Sequence, residues 1–218
     1  MVITYGGLEF FRIQSGNLTL VFNPVSKESK QKINSPRFRT DVALISSNHI
    51  DFNGAYDLSG KDDKNTFIID SPGEYEIKDI FVKGFKSVSL YDGKEVINTI
   101  YKVNIEGINL CFLGALSDKN IDDGVLSLID DSEILFVPIG GGDVLNATDA
   151  YKLSVKISPN IIIPMHYEGA GDKNSLDKFL KEEGLGKINP VDKLTIKKSN
   201  LSVNEGEIVV LSSSNSND

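Results

Sequence analysis

The chain resembles itself when it is shifted by about ninety residues, and this internal similarity constrains the fold more than any other feature of the sequence. The matched pairs of segments are 11–14 with 101–104, 18–22 with 108–112, and 41–45 with 133–137. In each half, an amphipathic hairpin is followed by an acidic residue and then by a continuous apolar run. Two unrelated amphipathic hairpins would also look alike, so chance similarity is the alternative. We favour a chain of two similar halves, since a period this long indicates a duplication rather than a solenoid.

Short β-like segments dominate the first two thirds of the chain, and helical patterns appear near its end. The predicted strands, rich in β-branched and aromatic residues, span 2–5, 9–14, 18–22, 42–45, 66–69, 80–82, 99–105, 108–113, 134–137 and 161–164. The predicted helices span 146–157 and 174–183. Two such halves predict an α/β fold, a four-layer αββα sandwich in which two sheets pack together and helices cover the outer faces.

The composition is that of an ordinary globular domain, with 40% hydrophobic and 25% charged residues among 218. A chain of this size can bury one sizeable core. We therefore expect a single domain over residues 1–211. The segment 212–218 is rich in Ser and Asn and is predicted to be a disordered tail.

The charge balance and the single cysteine restrict the expected partners and compartment. There are 23 basic and 31 acidic residues, a net charge of −8, and only three arginines, so nucleic acid is not an expected partner. No run reaches the roughly 18 apolar residues that a membrane span needs, so no membrane association is expected either. Cys111 has no partner for an intramolecular disulfide, and the N-terminus lacks a signal-peptide pattern, which together predict a cytoplasmic protein.

Polar and glycine-rich segments follow three continuous apolar strands, and both histidines of the chain lie in them. The segments are 46–51, 140–143 and 165–168, which contain His49 and His166. Functional sites in α/β folds collect in loops beyond the carboxyl ends of strands. These loops are therefore the candidate site.

Several short motifs resemble, in their order and spacing, the metallo-β-lactamase superfamily, and most closely its ascorbate-6-phosphate-lactonase-like branch of metal-dependent hydrolases. The motifs are 3–7, 20–24 (with Asn23-Pro24 where the family usually has Asp-Pro), 41–52, 71–76, 112–115, 135–142 and 163–167. The resemblance covers about residues 1–211. It implies an αββα sandwich with a two-metal hydrolytic site at one edge.

The family signature is His-x-His-x-Asp-His, completed by a further His, an Asp in a Gly-Asp pair and a final His after Pro-Met. Such a metal pair activates water against an ester, lactone, thioester or phosphodiester. In this chain the signature becomes Ser47-x-His49-x-Asp51-Phe52, the Gly-Asp pair becomes Gly114-Ala115, and segment 83–101 contains no histidine. Four of the seven ligand positions are thus substituted, and His49, Asp51 and His166 remain.

These residues leave two functions open. The first is a pseudoenzyme, a non-catalytic binding or scaffold protein without a cofactor, in which the two histidines bond to neighbouring side chains. The alternative is a mononuclear hydrolase of a small ester, lactone or phosphoester, in which His49, Asp51 and His166 hold one zinc or another divalent metal and Asp51 takes part in catalysis. Either a small-molecule ligand or a protein partner is expected, and a homo-oligomer is an open alternative. The predicted pocket residues are Ser47, Asn48, Phe52, Ala115, Gly140 and Gly141, where the glycine run either turns tightly or presents amides to an anion.

Overall fold

The computed structural model describes residues 1–31, 33, 38–59, 66–168, 170–201 and 205–213. The strands are β1 (Val2–Gly7), β2 (Phe10–Ser15), β3 (Leu18–Phe22), β4 (Val42–Leu44), β5 (Phe67–Ile69), β6 (Gly73–Ile77), β7 (Ile80–Tyr91), β8 (Lys94–Ile105), β9 (Ile108–Phe112), β10 (Ile134–Pro138), β11 (Ile161–Met165), β12 (Leu194–Thr195) and β13 (Glu207–Ile208). The helices are α1 (Ala55–Ser59), α2 (Asp123–Ile129), α3 (Ala147–Ile157), α4 (Ser175–Glu182) and α5 (Lys198–Leu201). Every predicted strand overlaps an observed one, and α3 and α4 match the predicted helices.

The strands form two mixed sheets with the same internal plan. Their orders are β12-β1-β2-β3-β4-β5 and β13-β11-β10-β9-β8-β7-β6. In the first sheet the antiparallel pair β2–β3 is followed by the parallel strand β4, and in the second the pair β8–β9 is followed by the parallel strand β10. This shared plan agrees with a chain of two similar halves. The predicted α/β sandwich is therefore confirmed.

The space between the sheets is filled by apolar side chains from both halves. Phe22 stacks on its repeat counterpart Phe112 with ring centroids 4.4 Å apart, and Phe11 meets Phe136 edge-on at 4.8 Å. All four side chains are fully buried. Burial of each contributes about 1.5–3 kcal/mol relative to exposure, so this aromatic cluster holds the two sheets together.

Helix α3 covers the outer face of the second sheet. Asn146 caps its first turn by accepting a hydrogen bond from the backbone N–H of Asp149 at 2.9 Å, and Ala150, Leu153 and Ile157 form its buried face. The outer face of the first sheet is covered by α1 and the loops around it. Within the described residues, no helix combines the length and apolarity that crossing a membrane requires.

An acidic residue precedes the buried parallel strand of each half, and in both halves it ties that strand to the preceding hairpin. The Asp41 carboxylate accepts from the backbone N–H of Thr19 at 2.9 Å, and Glu133 accepts from that of Asn109 at 2.7 Å. A lysine completes each arrangement, Lys78 in the first half and Lys198 in the second. The matched acidic positions therefore have the same structural role.

The strongest departure from the predicted elements is the length of β7 and β8. The sequence predicts strands only over 80–82 and 99–105, whereas the two strands continue to a tight turn at Asp92 and Gly93. Both turn residues have positive φ, 51° and 68°, the geometry of a two-residue hairpin that favours glycine at its second position. The sequence contains this Asp-Gly signal, but its flanking serines and charged residues conceal the strands.

The predicted tail begins too early. Ser212 donates its backbone N–H to the carbonyl of Val191 at 3.0 Å, and Ser213 forms a bridge with Tyr5. These two residues therefore belong to the folded domain rather than to a disordered tail. Residues 214–218, the rest of that prediction, lie outside the described residues.

Asp41 predicts a pH dependence of stability. Burial alone would raise the pKa of this carboxyl, but hydrogen bonds from Lys78 and Thr19 hold its pKa below the ordinary value. A lowered folded-state pKa adds stability that is complete above the ordinary pKa of about 3.9 and is lost as the pH falls through the folded-state pKa. We expect Asp41→Asn to be less stable than the wild type at about pH 6 and the difference to shrink below about pH 3. Urea unfolding at both pH values tests this, and a difference independent of pH would contradict it.

Candidate functional site

The loops after β4, β10 and β11 meet at one edge of the sandwich, together with the β1–β2 turn and the tip of the β7–β8 hairpin. His166, which follows β11, donates its backbone N–H to the carbonyl of Leu8 at 2.6 Å. Thr99 of β8 donates its backbone N–H to the carbonyl of Ser46 at 2.8 Å. The two histidine-bearing loops thus lie at the same edge, where the Tyr91 ring contacts both histidine rings.

His166 is held in a strained and buried position. Its φ is +59°, a left-handed conformation that is uncommon outside glycine, and its side chain is 4% exposed. A Cβ on the neighbouring Gly140 would lie only 2.1 Å from the His166 carbonyl oxygen, so glycine is required there. Ring nitrogen Nδ1 lies 2.8 Å from Oε1 of Glu9, a hydrogen bond across the site. Strain of this kind persists where surrounding contacts enforce it, which is typical of functional edges.

Glu9 is the centre of this buried network, and the sequence analysis did not identify it. It is fully buried, and its second oxygen, Oε2, accepts from Nδ2 of Asn23 at 2.7 Å. Asn23 also contacts Ser46, donating to its hydroxyl and accepting from its backbone N–H, both at 2.8 Å. Glu9 therefore connects loops from both halves of the sandwich.

The network favours asparagine over aspartate at position 23. Asn23 donates to Glu9 through its amide, whereas an ionised aspartate can only accept hydrogen bonds. An aspartate at this position would place a second carboxylate within hydrogen-bond distance of Glu9. Asparagine therefore supplies the donor that Glu9 accepts from at this position.

Asp51 and His49 form a second polar group closer to the surface. The Asp51 carboxylate accepts from the hydroxyls of Ser29 and, at 3.0 Å, Tyr91. The backbone N–H of Asp51 donates to Nδ1 of His49 at 3.2 Å, and this nitrogen lies 3.7 Å from Oδ2 of Asp51. Each carboxylate oxygen of Asp51 thus accepts from a different hydroxyl, Oδ1 from Ser29 and Oδ2 from Tyr91.

Two aromatic side chains lie against both histidines. The Tyr91 ring is 4.9 Å from His49 and 5.9 Å from His166, and the fully buried Phe52 ring is 5.9 Å and 6.4 Å from the same two rings. Burial, with the Glu9 and Asp51 carboxylates nearby, raises the pKa of Tyr91, so its phenol stays protonated as a donor to Asp51. Tyr91 comes from the hairpin tip that sequence reasoning missed, and the Asp92-Gly93 turn was the signal that could have located it.

The remaining predicted pocket residues separate into packed and exposed groups. Ala115 is fully buried in the same cluster as Phe52 and Tyr91, and its backbone N–H donates to Oδ1 of Asn98 at 3.0 Å. Ser47 is also buried, whereas Asn48 is exposed and bonds to Asn53.

The glycine run forms a tight turn. The backbone N–H of Gly141 donates to the carbonyl of Leu145 at 2.9 Å, and the carbonyl of Gly140 accepts from the backbone N–H of Asp172 at 2.6 Å. The Gly141 amide is thus used within the fold, which favours the turn over an anion cradle.

The donor set does not fit a pair of metal ions. Phe52 and Ala115 offer no donor at two of the substituted ligand positions. The three remaining candidate ligands, His49, Asp51 and His166, form hydrogen bonds with neighbouring groups. Over the part of the chain that the structure describes, no three His, Cys, Asp or Glu side chains are grouped so that they could hold a metal ion. A single-metal site of His49, Asp51 and His166 stays a prediction, which metal analysis can test.

Two mixed sheets packed face to face, with a polar edge built from the loops that follow the parallel strands, define the metallo-β-lactamase class of fold. The chain belongs to the β-lactamase superfamily, because the family model described as the β-lactamase superfamily domain matches residues 2–166. The narrower resemblance to the ascorbate-6-phosphate-lactonase branch stays a prediction.

Solved structures show the same fold over nearly the whole chain. A candidate Zn-dependent hydrolase of the metallo-β-lactamase superfamily from Thermotoga maritima is 26% identical, with a TM-score of 0.75 and coverage of 96% of this chain and 97% of that one. A metallo hydrolase from Ignicoccus hospitalis is 17% identical, with a TM-score of 0.60 and coverage of 90% and 99%. An isothiocyanate hydrolase from Delia radicum gut bacteria is 13% identical, with a TM-score of 0.63 and coverage of 90% and 100%. Among curated proteins, no sequence matches this chain.

Proposed function

We propose that this chain is a metal-independent, non-catalytic member of the superfamily that keeps the fold for binding a small molecule or a protein. The observation that supports this most directly is the packing of Phe52, Tyr91 and Ala115 in one buried cluster at the predicted metal edge. Aromatic and methyl groups cannot replace imidazole and carboxylate as metal ligands. The metal-dependent hydrolysis for which the structural neighbours are named would therefore lack metal ligands at these positions.

The remaining polar side chains are used to assemble the edge. His166 bonds to Glu9, Asp51 bonds to Tyr91, and these contacts join loops from the two halves. Hydrogen bonds of this kind are sufficient to hold loops from the two halves together at this edge. The exposed side of the edge, around Asn48 and the partly exposed His49, is where we place contact with a ligand.

Metal analysis and thermal stability together test the proposal. We expect freshly purified protein to contain less than stoichiometric zinc, manganese and iron, and its Tm to be unchanged by excess EDTA or by added Zn²⁺. A genuine site saturated at about 100 times its Kd would add about 2.7 kcal/mol of stability, which a melting curve resolves easily. Hydrolysis of ester, lactone and phosphodiester substrates should stay at the background rate.

The matched variants are His166→Ala and His49→Ala, each measured with and without Zn²⁺. Stoichiometric metal that disappears in His166→Ala, together with hydrolysis that is lost in the same variant, would support the mononuclear hydrolase and contradict our proposal. Metal content and activity that stay at background in the wild type and in both variants support the binding role.

A further inference from the structure

The far half of the β7–β8 hairpin, residues 85–100, is a two-stranded ribbon that extends beyond the rest of its sheet. Among the described residues, β6 pairs with β7 only over residues 80–84, and β9 pairs with β8 only over residues 101–105. The ribbon is nevertheless fixed to the body, because the backbone N–H of Leu90 donates to the Ser117 hydroxyl at 3.1 Å and that of Thr99 donates to the Ser46 carbonyl. Its outer face is therefore held in one orientation.

On this ribbon the apolar side chains are exposed and a serine is buried, which is the reverse of an ordinary surface strand. The alternation over residues 87–90 would ordinarily turn valine and leucine inward and the serines outward. Instead Ser89 is fully buried, while Val88, Leu90 and Ile97 are 45%, 57% and 56% exposed. Val88 is directly opposite Ile97 in the register, so the three apolar side chains lie together on one face. A contiguous apolar face on a fixed ribbon is typical of an interaction surface.

The charges around this face are arranged to match a second copy of it. In the register Lys86 is opposite Thr99, and Leu90 is opposite Glu95, so Lys86 and Glu95 occupy diagonal corners. Both side chains are exposed, and within the described ranges neither takes part in an ion pair. A twofold axis that passes through the Val88–Ile97 pair, perpendicular to the line from Lys86 to Glu95, places Lys86 of each copy opposite Glu95 of the other. With strands about 4.8 Å apart and a rise of about 3.4 Å per residue, the two ribbons then cross at roughly 40°, close to the aligned class of packed sheets.

We infer that Val88, Leu90 and Ile97, flanked by Lys86 and Glu95, form a homodimer interface in which two copies of this ribbon face pack across a twofold axis. A uniformly acidic or basic partner would match only one of the two corners, whereas an identical face matches both. Three apolar side chains cover far less than the about 800 Å² per partner of a standard interface, so the dimer is weak and depends on concentration.

Analytical ultracentrifugation of the full chain over a wide concentration range tests the inference. The wild type should move from the 23.9 kDa monomer towards twice that mass as concentration rises. Leu90→Lys should stay monomeric throughout. The control Leu128→Lys alters a leucine of α2 that is 49% exposed and should dimerise like the wild type.

Charge reversal identifies the partner as a second copy in the twofold arrangement. Lys86→Glu should weaken the dimer about tenfold, since two attractive pairs become repulsive. The double variant with Lys86→Glu and Glu95→Lys should restore the wild-type dissociation constant. A wild type that remains monomeric, a dimer insensitive to Leu90→Lys, or a double variant as weak as the single one would each overturn the inference. Circular dichroism and Tm confirm that each variant is folded, and Ile97→Lys replaces Leu90→Lys if that variant is not.

Discussion

Replacing Glu9 with alanine is expected to lower the free energy of unfolding by about 2–6 kcal/mol, since it leaves two buried groups without a partner at about 1–3 kcal/mol each. The Glu9 carboxylate is fully buried, and it joins His166 of one half to Asn23 of the other. Without it, the His166 Nδ1 and the Asn23 amide lose their partner inside the protein. Urea unfolding monitored by circular dichroism measures the loss.

The control for this prediction is an exposed glutamate that also has a charged neighbour. Glu74 lies 3.1 Å from Lys83, and its side chain is 76% exposed. We expect Glu74→Ala to change the free energy of unfolding by no more than about 0.5 kcal/mol. If the two variants were equally stable, the buried network would have no part in holding the edge together.

A charge-compensating pair of substitutions separates hydrogen bonding from simple loss of volume. Asn23→Asp should destabilise the fold by about 1–3 kcal/mol, because two buried carboxylates would then meet without a donor between them. Adding Glu9→Gln supplies a new amide donor that faces the introduced carboxylate and should recover part of that loss. A double variant that is less stable than both single variants would contradict this interpretation.

Phe52→Ala is the second substitution with a large expected effect, a loss of about 3–5 kcal/mol. The Phe52 side chain is fully buried and packs against Tyr91 with ring centroids 4.8 Å apart. Truncation leaves a cavity beside the two histidines, which the fixed loops can close only in part. Thermal and urea unfolding both report the loss.

Tyr56→Ala is the matched control, since Tyr56 is a nearby aromatic that is 66% exposed. Its truncation should change stability by no more than about 0.5 kcal/mol. A loss below about 1 kcal/mol for Phe52→Ala would mean that the aromatic side chain does not fill the edge, and would weaken the case that it replaces a metal ligand.

Local patterns were enough to locate ten of the thirteen strands in the described residues, and the main helix. The strand predicted over residues 18–22 has the bounds that the structure shows, and the helix predicted to begin at residue 146 is α3, with Asn146 as its N-cap. These features depend on side-chain periodicity and on hydrogen bonds between residues close in the chain, so a short segment contains the information. The matched segments of the two halves likewise located the equivalent positions of Asp41 and Glu133.

The ribbon at the end of β7 and β8 could not be predicted in the same way. Ser89 is fully buried whereas Val88 and Leu90 are exposed, which reverses the pattern from which strand faces are inferred. The Asp92-Gly93 turn was visible in the sequence. Which side chains of its flanking strands are buried, however, depends on what the ribbon packs against. Tyr91, which that turn brings to the site, was missed for this reason.

The sequence by itself determined which metal-binding side chains are absent, because ligand chemistry depends on residue type: Phe52 and Ala115 cannot bind a metal ion in any conformation. The tertiary structure alone decided how the remaining polar groups are used. Glu9 and His166 are 157 residues apart in the chain and become partners only because the two sheets pack face to face. Pairing of this kind is set by the long-range position of each strand, and no local pattern contains it.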